Sequence, residues 1–116
     1  MSKPRPLPCV FYRTAAGNEP VREWLKALPR EECRQIGTDI KAVQFGWPLG
    51  LPLVDALGGG IWEVRSRLPN RIARTLFFVR NETIVLLHGF IKKTRATPSH
   101  DLALAQQRKH IYEQIQ

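Results

Sequence analysis

Apolar residues recur at helical spacing over residues 20–45 and at strand spacing over residues 61–91, so the middle of the chain changes rhythm once. Val21, Trp24, Leu25 and Leu28 fall at i, i+3, i+4 and i+7, which predicts a helix entered at Glu19-Pro20, with Asn18 as N-cap and Pro29 as its stop. A second helix is predicted from Arg30 to about Phe45, burying Cys33, Ile36, Ile40 and Val43 and closed by Gly46 and Pro48. The two make a helical hairpin. Near the end, Thr97-Pro98 predicts a last helix with Thr97 as N-cap and Asp101 set against the helix dipole. Leu104, Ile111, Tyr112 and Ile115 are its expected apolar stripe.

Strand signals surround the hairpin. Residues 9–14 are short, β-branched and aromatic, and Ala16-Gly17-Asn18 breaks them off. In residues 61–67, alternation places Trp62 and Val64 on one face and Glu63, Arg65 and Arg67 on the other. Pro69-Asn70 signals a turn into a strand over residues 72–79, where Arg74 shares a face with Ile72, Leu76 and Phe78. A further turn at Arg80-Asn-Glu-Thr leads into residues 84–91, where simple alternation puts His88 on the face of Ile84, Leu86 and Phe90. Residues 46–60 hold 5 of the 8 glycines and two prolines and are expected to be an irregular connection. Gly58-Gly59-Gly60 lacks the Lys-Ser/Thr of a phosphate loop and precedes a strand, so it reads as a tight entry into the sheet. The order β, α, α, β, β, β, α gives an α+β fold: a small antiparallel sheet with the helical hairpin on one face and a C-terminal helix.

The 116 residues suit one domain, with residues 1–7 expected to fray. No apolar run exceeds four residues, and no signal-like apolar stretch follows the N-terminus, so no membrane association is expected and the cytoplasm is the expected location. Cys9 and Cys33 are expected to be reduced thiols; with His88, His100 and His110 they show no metal-ligand spacing, and neither a metal nor another cofactor is expected.

Charge changes the picture more. The chain has 18 Lys and Arg against 10 Asp and Glu, a net charge of +8. Residues 61–95 hold eight of the basic residues and two of the acidic ones, which concentrates most of the excess in the strands. A patch so dense attracts phosphate backbones by counterion release, making nucleic acid the leading partner and an acidic protein segment the second.

Trp62-Glu-Val-Arg65, Arg71-Ile-Ala-Arg74, and Leu87-His-Gly-Phe-Ile-Lys-Lys-Thr94 followed by Thr97-Pro98 resemble the HigB branch of the RelE/ParE toxin superfamily, often phage-derived. The resemblance covers roughly residues 9–113. It implies a type II toxin–antitoxin toxin: an endoribonuclease cutting mRNA on the ribosome, paired with a helix-turn-helix antitoxin of the HigA kind. The alternatives are a non-nuclease toxin of the same fold, like the ParE branch, that inhibits DNA gyrase, and an inactive phage remnant.

Cleavage of RNA by its own 2′-OH asks for a base, positive charge around the transition state and an acid for the departing 5′ oxygen, and needs no metal. Arginine forks match phosphate oxygens and keep their charge, so Arg65 and Arg74 are the candidates to grip the scissile phosphate. For Arg65 the bland reading is an ion pair with Glu63 or the helices; for Arg74, amid apolar neighbours, a partner or a ligand is required. Lys92 or Lys93 can be a base whose proton neighbouring arginines disfavour, or both can simply be solvated charges. Arg67, Arg71, His88 and Arg95 are candidate RNA contacts, although a mid-strand histidine is more often a packed residue with satisfied nitrogens. Trp47 is a candidate base-stacking residue in its loop, Trp62 reads as core, and Tyr112 reads as helix packing. No residue is assigned as the general acid.

Overall fold

The computed structural model describes residues 5–92 and 96–115. Its elements are β1 (Cys9–Phe11), α1 (Pro20–Ala27), α2 (Arg30–Gly46), β2 (Val54–Gly58), β3 (Ile61–Leu68), β4 (Arg71–Arg80), β5 (Thr83–Lys92) and α3 (Ser99–Ile115). Among the described residues, no helix is long and apolar enough to cross a membrane.

Over the described residues the fold is α+β, with three helices on a five-stranded sheet of order β1-β5-β4-β3-β2. The helical hairpin covers one face: Val21, Ile36, Ile40 and Val43 join Val64, Phe77 and Leu86 in the larger core. The opposite face carries α3, whose Ala105 packs with Ile61, Leu76, Phe78 and Leu87. Trp24 of α1 lies so close to Gly89 on β5 that a Cβ there would stand 2.2 Å from its ring, which makes glycine the only residue this approach admits.

Several local expectations give way to longer-range contacts. Residues 46–60 are not wholly irregular, because Val54–Gly58 pairs with β3 as an edge strand. Their Pro and Gly flanks hide it in the sequence. The Gly58–Gly60 turn, all at positive φ, closes that hairpin and is indeed the entry to β3. β1 runs parallel to β5, so the sheet is mixed rather than wholly antiparallel. Leu7 exchanges hydrogen bonds with Gln44 of α2 and is anchored rather than frayed; residues 1–4 lie outside the described residues.

Asn18 does not cap α1: its N–H donates to Thr14 Oγ1, and Glu19 takes the N-cap position. Thr97 likewise precedes the first turn of α3 and spends its hydroxyl on Glu63 of β3. The buried stripe of α3 runs through Asp101, Ala105 and the half-buried Tyr112, leaving Ile111 37% and Ile115 70% exposed, contrary to the apolar stripe read from the sequence.

A β-bulge at Leu87 matters most for the site. Leu76 pairs with His88 and Phe77 with Leu86, so Leu87 has no partner and the alternation of β5 shifts by one. His88 therefore leaves the face of Ile84 and Leu86, where uninterrupted alternation put it, and joins Leu76 and Phe90 under α3. The Leu87 carbonyl instead accepts from Arg108 Nη1 of α3 at 2.8 Å, which satisfies a group the bulge takes out of the ladder.

Candidate functional site

Residues directly opposed across antiparallel strands point to the same face, so the register of β3, β4 and β5 lays out a grid on the α3 side of the sheet. The outermost row is Arg67, Ile72 and Lys92; the next is Arg65, Arg74 and Phe90; the third is Glu63, Leu76 and His88. Four cations, Arg65, Arg67, Arg74 and Lys92, thus share two adjacent rows.

The start of α3 is fastened to the third row on both sides. Thr97 Oγ1 donates to Glu63 Oε2 on β3, and Asp101 Oδ1 bonds His88 Nε2 on β5 at 2.6 Å. With Leu76 between them, these contacts seat the helix across three strands, and the two cationic rows lie beyond them. His88 also stacks on Phe90, ring centroids 5.3 Å apart. The side chains of His88 and Asp101 are only 16% and 10% exposed, and the exposed His100 reaches the other Asp101 oxygen at 3.3 Å.

The cations differ in their surroundings. Arg74 is 3% exposed and its Nη1 donates to Glu63 Oε1 at 2.6 Å, while Glu63 itself is completely buried. The partner that its apolar neighbours demand is therefore Glu63, which for that reason is not the partner of Arg65. Arg65 is half-buried and, among the described residues, has neither an ion pair nor a hydrogen-bond acceptor for its buried Nε. Arg67 is exposed and Lys92 half-buried, and neither forms an ion pair among the described residues. A small depression at the sheet end brings Arg65 and Arg67 together with Pro52 and Ile72 and opens into a groove of about 220 Å³ against Gln35 and Asp39 of α2.

The remaining candidates stand elsewhere. Arg71 pairs with Glu32 of α2, a hydrogen bond that raises its pKa above the ordinary value. Trp47 is not brought to the cationic face: it packs edge-on against Trp62 and Phe77, at 5.0 and 5.4 Å between centroids, under the helical hairpin. Tyr112 packs edge-on against Phe78, as helix packing requires. Lys93 and Arg95 lie outside the described residues. Sequence reasoning missed the roles of Glu63, Thr97 and Asp101. A glutamate two residues before an arginine on a strand was visible, but its pairing with a third strand position was not.

A family model described as Phage derived protein Gp49-like (DUF891) matches residues 23–110, which contain the whole grid. The chain belongs to this phage-derived Gp49-like family. That family is associated with toxins of the RelE/ParE type, so membership is compatible with a toxin–antitoxin role. No curated protein matches the chain significantly. Among the described residues of this Gp49-like protein, no cluster of three or more His, Cys, Asp or Glu side chains can hold a metal ion. What the grid offers chemically is fixed positive charge beside an aromatic ring, an arrangement that suits a single-stranded phosphate backbone.

Proposed function

We propose that this Gp49-like protein is the toxin of a type II toxin–antitoxin pair, of the HigB kind, and that it is an endoribonuclease cutting mRNA on the translating ribosome. The observation that carries the reading is the open cationic end of the sheet, where Arg65, Arg67 and Lys92 stand without carboxylate partners among the described residues beside the Arg74–Glu63 pair. Arginine forks stabilise the doubly charged phosphorane-like transition state more than the singly charged ground state, which is what acceleration requires. The RNA's own 2′-OH is the nucleophile, so the protein supplies charge, orientation and proton transfer rather than a covalent intermediate. Lys92, on the same face as Arg65 and Arg74, is the candidate base. A helix-turn-helix antitoxin with acidic surface would neutralise such a toxin by covering this patch.

Purified protein added to a translating cell-free extract, with new 5′ ends on a reporter mRNA mapped by primer extension, tests the reading. Cuts on translated message and none on the same naked RNA are expected. A folded protein that cuts under neither condition overturns it, and inhibition of DNA supercoiling by that protein then identifies a gyrase poison instead.

A further inference from the structure

Arg65 and Arg74 stand directly opposite each other on β3 and β4, a placement in which like charges repel. The fold relieves the repulsion on one side only. Glu63 takes Arg74 on Oε1 and the Thr97 hydroxyl on Oε2, so its carboxylate is held at both ends, and it is fully buried. Arg74, 3% exposed, is correspondingly turned inward and compensated. Arg65 has neither a carboxylate nor an acceptor for its buried Nε among the described residues. Buried donors in folded proteins almost always find an acceptor, and an anion arriving in the Arg65–Arg67 depression is one that this donor can take.

We propose that Glu63 is a positioning residue that divides the labour of the two arginines: it retains Arg74 as an internal, charge-compensated support and leaves Arg65 as the guanidinium that meets a phosphodiester of single-stranded RNA. The proposal rests on the nuclease reading. A neutral amide at position 63 can still accept from Arg74 through its oxygen and donate to the Thr97 hydroxyl through its nitrogen, but it releases the Arg74 charge and loosens its geometry. Binding and turnover then move in opposite directions, which a merely structural role does not produce.

The test measures binding of a single-stranded RNA oligonucleotide, made uncleavable by 2′-deoxy substitution, as a function of salt, together with kcat and KM for cleavage of translated message. Each phosphate neutralised contributes about 0.7 to the slope of log affinity on log salt for a single strand. Arg65→Gln is expected to lower the slope by about that amount, and the double variant Glu63→Gln with Arg74→Gln, which removes the compensated pair together, to leave it unchanged, while Glu63→Gln alone steepens it. In Glu63→Gln, kcat is expected to fall between about tenfold and a hundredfold with KM unchanged or lower, the scale of a misplaced catalytic group. The comparison of Arg65→Gln with the double variant stands even where Glu63→Gln fails to fold, because neither strands a buried charge. Equal slope losses in Arg65→Gln and the double variant, with an unmutated protein that binds and cuts RNA, overturn this proposal alone. An unmutated protein that cuts no translated message overturns the nuclease reading and this proposal together, and one that cuts it without binding the oligonucleotide overturns this proposal alone.

Discussion

Arg65 and Arg74 face each other across β3 and β4, yet only Arg74 carries a carboxylate partner among the described residues, the fully buried Glu63. Removing one member of such a pair strands the other in a low-dielectric interior. Arg74→Met is therefore expected to cost about 3–5 kcal/mol, while the double replacement Glu63→Met with Arg74→Met recovers most of that loss. Urea unfolding midpoints check this, and a double variant no more stable than the single one would contradict it. Loss of activity in an Arg74 variant consequently bears on catalysis only after its folding has been measured.

Arg67 lies exposed at the sheet end, so its replacement breaks no ion pair among the described residues. Arg67→Gln is expected to unfold at the same temperature as the parent while the salt slope of RNA binding falls by about 0.7. An unchanged slope would remove Arg67 from the RNA path.

At Gly89 the ring of Trp24 occupies the space a side chain would need. Gly89→Ala is expected to destabilise by about 1–3 kcal/mol, the usual cost of overpacking. Gly89→Ala combined with Trp24→Leu should recover part of it, because the smaller side chain clears the methyl group. A stable single variant would show that α1 shifts on the sheet at little cost.

Asn81 and Glu82 form the two-residue turn between β4 and β5, with φ of 51° and 58°. Both lie in the left-handed region that a primed hairpin turn demands, and glutamate has a Cβ that opposes it. Glu82→Gly is expected to stabilise by about 1 kcal/mol, read as a higher unfolding midpoint with an unchanged denaturant slope.

Burial pushes the Cys9 thiol up from its ordinary 9.0 to about 11. The unfolded chain then loses this proton at lower pH than the folded one, so the contribution to stability is complete below pH 9.0 and is lost as pH rises toward about 11. Cys9→Ser, whose hydroxyl does not ionise in that range, is expected to flatten the stability profile there. Alkylation of Cys9 in the folded protein should likewise remain slow at neutral pH.

Local rhythm was enough to determine most of the elements. The i, i+3, i+4, i+7 positions of α1 and the run of α2 are satisfied by residues that meet along one helix, and alternation put Glu63, Arg65 and Arg67 on one face of β3 and Arg74 with Ile72 and Leu76 on one face of β4, which the strand register then joined. The charge arithmetic that concentrated cations in these strands was likewise complete in the sequence. Tertiary structure decided the rest, because it depends on partners far along the chain. One unpaired residue, Leu87, shifted His88 to the α3 face, and no local pattern marks the bulge. Pairing with β3 turned part of a Pro- and Gly-rich segment into a strand, and packing against Trp62 and Phe77 took Trp47 away from the cationic face. Which arginine is compensated was decided by the meeting of Glu63, Arg74 and Thr97, since only the folded sheet with the start of α3 seated on it brings their polar atoms within hydrogen-bond reach.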